Sequence, residues 1–401
     1  MPRSRRARAP VPSFPVDGVD DIFGCVTTTA SPTTEPTDPL GLDLPTLVAQ
    51  FGERWGKGEY HALALFRSIH RTGRWDPRHL PEYAGNPSLA DAVAAQFPIR
   101  LPSVCGRSGD GSTYKFLLRL RDGLESESVV IPMRSYKSLC VSSQVGCKMG
   151  CTFCETARLG HLRDLDAGEI VAQVLVARHV LGEPIENVVF MGMGEPMDNF
   201  DNVVRAVRIL SDRRGLAIPL PSITISTVGH VDGIRRLARL AALGFPEGLT
   251  RLRLAVSLNA PNDTLRSELM PVNRHWNLAQ LREALLEFPL ARPRDVVFVE
   301  YVLLDGVNDS RDHAFEIVEF LRGIRACVNL IPFNPGPDAP YKRPPETRGR
   351  EFLQWLLEAG QRCRLRATKG VEAMAACGQL GNPDRKRPRR RQTADGPTTH
   401  R

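Results

Sequence analysis

The stretch CVSSQVGCKMGCTFC, residues 140–154, holds four of the chain's nine cysteines: Cys140, Cys147, Cys151 and Cys154. So tight a group of thiols could form a disulfide staple, a zinc site or an iron–sulfur site. Nine cysteines in 401 residues is sparse and odd in number, which argues against a disulfide framework, and cysteines three residues apart, such as Cys151 and Cys154, make a poor staple. A structural zinc site wants four closed ligands, often as two separated pairs; here only Cys140 and His161 stand near enough to be a fourth. An iron–sulfur cluster held by Cys147, Cys151 and Cys154 alone would keep one iron open to a substrate. The residue types by themselves leave the two metals open.

Composition narrows the setting. A hydrophobic share of 42% and a charged share of 24% are those of an ordinary globular protein. No apolar run approaches the roughly 18 residues needed to span a bilayer and no secretory segment opens the chain, so the reading is a soluble, cytoplasmic protein. The net charge is +8, yet residues 1–8 carry +4 and residues 384–401 carry +5, leaving −1 for the body between them. The basic excess therefore belongs to the two tails, which could attract phosphates or simply aid solubility.

The elements that must position the cysteines follow from hydrophobic rhythm. Residues 1–41, rich in Pro, Thr, Ser and Asp, read as a disordered leader. Apolar residues then recur at three and four across 42–100, a small helical accessory domain. Residues 101–136 alternate like a β-hairpin in STYKFLLRLRDG and ESESVVIPM. From 137 to 382, β-branched runs at 187, 223, 252, 296 and 327 alternate with helical segments. The first of those segments opens with the capping pair Asp166 and Glu169. Such alternation predicts parallel βα units, as an open sheet or a barrel, with chemistry on the loops that follow the strands. MGMGEP, STVGH, SLNAPND and PFNPGP all follow strands. Residues 383–401 read as a basic disordered tail.

Three cysteines with these intervals, heading a βα array, resemble the radical S-adenosylmethionine superfamily, and Phe153 is the aromatic residue expected before the last ligand. The resemblance implies one [4Fe–4S] cluster on Cys147, Cys151 and Cys154, whose open iron chelates S-adenosylmethionine, and a partial (βα)6-type barrel. SLCVSSQVGCKMGCTFC, EIVAQV, VVFMGMGEPMDN, LAVSLNAPND, LLDGVNDS, LIPFNP and AACGQL sharpen it. In this order, over 115–382, they resemble the radical methyltransferases of adenine in 23S ribosomal RNA. The RlmN-like branch methylates C2 and acts on tRNA as well; the Cfr-like branch methylates C8.

The adenine C2 and C8 carbons are electron-poor, so polar methyl transfer does not suit them. The resemblance implies a detour through cysteine, with two S-adenosylmethionine molecules per turnover. Cys377 in AACGQL would accept a methyl group and carry it as a methylene radical to the base. Cys140 would then release the product by attacking the Cys377 sulfur, leaving a disulfide bond, and Glu127 would take the ring proton. Gly194 and Glu195 would hold the cofactor's amino group, Ser226, Ser257, Leu258 and Asn259 its carboxylate and ribose, and Asn334 its adenine. RNA and an electron donor such as flavodoxin are the implied partners of a monomer. The sequence departs from the family in three places: Asn259 replaces a histidine, ETARLGHLRDL follows the cluster motif, and LARLAALGFPEGLTR lengthens the region before 252. The rivals are the C8 reaction, a radical methylase of another substrate, and a zinc-stabilised RNA-binding module.

Overall fold

The computed structural model describes residues 36–109, 113–244, 248–336, 339–366 and 379–381. Cys377 and both basic tails lie outside the described residues. The described residues form one compact unit. It opens with helices α1 (Leu44–Trp55), α2 (Glu59–Arg67) and α3 (Pro87–Gln96). The side chain of Asp43 caps α1 by accepting from the Thr46 N–H, and Gly56, with φ +60°, ends it. Leu47, Phe51, Leu65, Phe66 and Val93 on these helices share one continuous apolar core with the sheet that follows.

Strands β1 (Ser103–Gly109), β2 (Tyr114–Arg119), β3 (Glu125–Pro132) and β4 (Lys137–Cys140) pair antiparallel in succession. The expected hairpin is β2 with β3, and β1 is a strand the sequence pattern did not reveal. After β4 come β5 (Gln144–Gly146), α4 (Glu155–Leu159), β6 (His161–Asp164), α5 (Ala167–Leu175), β7 (Ile185–Phe190), α6 (Phe200–Ser211), β8 (Ile223–Thr227), α7 (Val231–Ala242) and β9 (Arg253–Ser257). The chain continues through α8 (Asp263–Leu269), α9 (Leu278–Glu287), β10 (Val297–Leu303), α10 (Arg311–Leu321), β11 (Ala326–Pro332), α11 (Glu346–Glu358) and β12 (Cys363–Leu365). Asp166 and Glu169 form the expected capping box on α5.

Ten strands make one open sheet in the order β1-β2-β3-β4-β7-β8-β9-β10-β11-β12. From β4 to β12 every pairing is parallel. β1 and β12 are its edges, so the barrel is partial. The sheet's two faces differ in chemistry. Leu139, Val188, Ile225, Leu254, Val299 and Leu330 are buried on the face that α5 covers. Strand register carries Cys140, Val189, Ser226, Ser257, Glu300 and Asn329 to the other face. β5 and β6 form a separate antiparallel pair that brackets the cysteine loop. Among the described residues no helix is long and apolar enough to cross a membrane.

Behind the sheet, His70 packs against Phe66 with ring centroids 4.4 Å apart and the rings tilted by 56°. It is fully buried, and neither ring nitrogen has a hydrogen-bond partner. Burial lowers its pKa to about 3. An unfolded histidine takes a proton near 6.5. The folded state therefore loses stability as pH falls from about 6.5 towards 3, by about 1.4 kcal/mol per unit. Between pH 7 and pH 5, denaturation of His70→Leu should show a smaller loss of stability than the parent, by about 2 kcal/mol. An equal loss in both would place the acid sensitivity elsewhere.

Candidate active site

The cysteine loop owes its shape to a pinch at its base. The Cys147 N–H donates to the Gly160 carbonyl at 3.0 Å. Gly146 has φ +81°, and a Cβ there would lie 1.7 Å from the Gly160 oxygen, so no other residue fits. Across the loop, the Thr152 N–H donates to the Leu269 carbonyl at 3.0 Å, and the Thr152 hydroxyl meets the Tyr341 hydroxyl at 2.8 Å. Cys147, Cys151 and Cys154 thereby line one cavity at the carboxyl ends of the parallel strands, with Phe153 beside them. Met149, Met270, Leu304 and Phe333 form an apolar shell around Cys147 and Cys151.

Gly194, Glu195, Ser226, Ser257 and Asn259 line the same cavity. Gly194, at φ +100°, brings the backbone so close to Gln144 that a Cβ would meet its side chain at 2.5 Å. The Glu195 carboxylate is fully buried and accepts from the Met197 N–H at 3.0 Å and the Val228 N–H at 2.9 Å. Burial nonetheless pushes its pKa up to about 7. Carboxylate oxygens hold about four lone-pair sites, so an incoming ammonium can still be received. Asn259, at φ +54°, accepts from the Val302 N–H at 2.9 Å.

Other residues singled out by sequence stand apart from this lining. Leu258 is fully buried in the main core; its N–H donates to the Glu300 carbonyl and its own carbonyl accepts from Arg266. Asn334 is buried, and its side-chain oxygen accepts from Arg343; its neighbour Phe333 faces the cavity. Cys140 ends β4, and Glu127 lies on β3. Cys140 pairs with Val129, two residues from Glu127, so both side chains share the face that carries Ser226 and Ser257. Lys115 stands 3.1 Å from Glu127 Oε2.

The donor set fits an iron–sulfur cluster. Burial pushes the Cys147 thiol up to about 12, burial together with the neighbouring thiols raises Cys151 well above its ordinary value, and burial also raises Cys154. Three such thiols become thiolates only against strong positive charge. Among the described residues no three Cys, His, Asp or Glu side chains converge as a single metal ion would need. Neither proposed fourth zinc ligand lines the cavity, for Cys140 lies on β4 and His161 pairs with Asp164 at 3.1 Å.

Two features escaped the sequence reading. Arg266 on α8 is completely buried. It donates to the carbonyls of Val228 at 2.5 Å, Ser257 at 3.3 Å and Leu258 at 3.2 Å, and to Asn273 Oδ1 at 2.9 Å. Burial lowers its pKa only to about 10, so it stays a cation, and its charge acts on Cys151. Nothing in DTLRSEL separates it from a surface arginine. The second feature is a clasp: Thr156 Oγ1 donates to the Leu380 carbonyl at 2.5 Å, which brings Leu380 to the cavity wall.

A partial parallel barrel with a three-cysteine loop over its strand ends defines a radical S-adenosylmethionine enzyme, and residues 141–318 match the model of the Radical SAM superfamily. The crystal structure of a radical SAM methyltransferase from Sphaerobacter thermophilus superposes with a TM-score of 0.76 at 38% identity, covering 86% of this chain and 99% of that one. The dual-specificity RNA methyltransferase RlmN of Syntrophobacter fumaroxidans is 46% identical over 86% of this chain and 98% of its own. That of Halorhodospira halophila is 42% identical over 86% of this chain and 93% of its own. The chain belongs to the RlmN family of radical SAM RNA methyltransferases. The family implies a [4Fe–4S] cluster and S-adenosylmethionine, for which Cys147, Cys151 and Cys154 are the available ligands.

Replacing Arg266 with Met would strand three strand-end carbonyls in a buried site. Denaturation should show a loss of about 3 kcal/mol or more. A loss below about 1 kcal/mol would mean that water replaces the guanidinium.

Proposed function

We propose that this enzyme methylates C2 of adenine in 23S rRNA and in tRNA, through a methylated Cys377. The observation that carries the reading is the division of the cysteine stretch. Three thiols line the cavity, whereas Cys140 stands apart on the strand face shared with Glu127. That division supports a reading of three ligands and one separate reactant.

The bound cluster and S-adenosylmethionine supply a carbon radical able to remove a hydrogen atom. The remaining work falls to the chain. Cys377, as a thiolate, accepts a methyl group from a first S-adenosylmethionine: its S–C bond forms as the methyl–sulfonium bond breaks, and S-adenosylhomocysteine leaves. Cys377 would then present that methyl group for loss of one hydrogen atom, at the cost of a second S-adenosylmethionine, and its carbon would bond to the adenine. Glu127 accepts the proton displaced from the ring, with Lys115 balancing its buried charge, and the one unpaired electron left on the ring would return to the cluster, so that the adduct is closed-shell before its release. Cys140 attacks the Cys377 sulfur. The new S–S bond forms as the S–C bond breaks, and the electron pair leaves with the base, which takes up a proton. Reduction of the disulfide resets the enzyme. Gly194, Glu195, Ser226, Ser257 and Asn259 hold the cofactor, with Leu258 acting through its backbone and Asn334 through the loop it anchors. The protein works as a cytoplasmic monomer served by a flavodoxin-type electron donor.

The two catalytic cysteines act at different times, which makes them separable. Cys140→Ala should accept the methyl group, bond to RNA and stall as a protein–RNA conjugate that survives reducing agent, because the link is a thioether. Cys377→Ala should form no conjugate and no product. Mass spectrometry of digested RNA from the parent enzyme should give 2-methyladenosine; 8-methyladenosine would transfer the reading to the C8 reaction. Normal turnover by either variant would overturn the cysteine route.

A further inference from the structure

Glu300 has no part in the chemistry above, yet it sits in the same cavity wall. It lies on β10, in direct register with Ser257 of β9 on one side and Asn329 of β11 on the other. Three polar side chains thus form a row across strands roughly 4.8 Å apart, and two of them, Ser257 and Glu300, line the cavity. Glu300 is 5% exposed. Its Oε1 accepts from Asn329 Nδ2 at 2.7 Å. Its Oε2 has no hydrogen-bond partner. The Arg366 guanidinium stands 3.7 Å away, near enough to balance charge and too far to fill the acceptor.

Such an oxygen is costly. Burial holds the carboxyl above its ordinary pKa, and an unpaired buried acceptor forfeits its hydration with nothing in return. A leucine at 300 would continue the apolar wall that Val302 and Ile331 begin one step further along. A carboxylate there makes sense if a donor arrives with the ligand. Beside Ser257, the donor within reach belongs to the nucleoside part of the cofactor. A ribose diol offers two hydroxyl donors and no positive charge, and carboxylates recognise such diols through charge-assisted hydrogen bonds.

We propose that Glu300 is a further binding residue of the cavity, its Oε2 accepting a ribose hydroxyl of S-adenosylmethionine. Asn329 and Arg366 then act as positioning residues, the one fixing the carboxylate plane through Oε1 and the other offsetting its negative charge. This rests on the cofactor site assigned above.

Calorimetry on the cluster-loaded protein tests it, with S-adenosylhomocysteine and its 2′-deoxy and 3′-deoxy analogues as probes. In the parent, removing the hydroxyl that Glu300 receives should weaken binding about tenfold or more. In Glu300→Gln, which keeps the shape and the Asn329 bond, the parent probe should bind about tenfold more weakly. The deoxy penalty should also shrink to about threefold or less, since a charged acceptor has become a neutral amide. Equal deoxy penalties in parent and variant would overturn the proposal. So would a variant that binds all three probes normally and shows only a raised KM for RNA, because the oxygen would then serve the target base. Asn329→Ala is a second arm: it should weaken the intact probe more than the matching deoxy analogue, and equal weakening counts against the role. Failure of the parent to bind S-adenosylhomocysteine at all would instead strike the cofactor site itself.

Discussion

Parallel strands end in loops that do not pair with one another, so a cavity built on those ends needs something else to fix its rim. Here two buried charges do it. The Glu195 N–H donates to Gln144 Oε1 at 2.8 Å, and its carboxylate accepts from Val228. Val228 in turn gives its carbonyl to Arg266, which also grips Ser257 and Leu258. Asn259 carries the line to Val302 on β10. The strand β5, the loops after β7, β8 and β9 and the strand β10 are thereby stitched in sequence. Each stitch places a cavity residue: Gly194 and Glu195 by the first, Ser257 and Asn259 by the later ones. Both charges are desolvated, which is stabilising only because nearly every polar atom they present is used.

The same rim sets the electrostatics of the cysteine loop. Three crowded thiols in an apolar shell resist ionisation, and Arg266 is the fixed cation whose charge reaches Cys151. It eases the thiolates without supplying enough charge alone, which leaves room for a cationic cluster. Outside that shell, on the flank of the sheet, Cys140 and Glu127 share a face but not the lining. One short stretch of sequence therefore serves two chemical environments because β4 ends between them.

Much of this was legible in the chain. β7 to β11 announce themselves because parallel strands packed under helices are continuous apolar runs, and Asp166 with Glu169 marks the start of α5. The cysteine intervals and GEP, STVG and SLN located the cavity. What stayed hidden depends on partners distant in sequence. β1 and β12 are edge strands with weak patterns, and β5 and β6 are too short to show one. Arg266 contacts carbonyls 8, 9 and 38 residues away, and no local signal marks it as buried. Leu258 lies between Ser257 and Asn259 of the cavity lining, yet its side chain turns into the core, as alternation beside Ser257 requires. Glu300 hid in plain view: the alternation in VFVEYVL puts it opposite the apolar face, but only strand register shows that this face is a cavity wall.

The central claim is that Cys147, Cys151 and Cys154 hold a cluster with one iron open to S-adenosylmethionine. Electron paramagnetic resonance of the anaerobically purified, reduced protein, with iron analysis, addresses it most directly. The account predicts about four iron atoms per chain and a reduced-cluster signal that changes when S-adenosylmethionine is added. A stoichiometric zinc content without iron, or a cluster signal indifferent to S-adenosylmethionine, would contradict it.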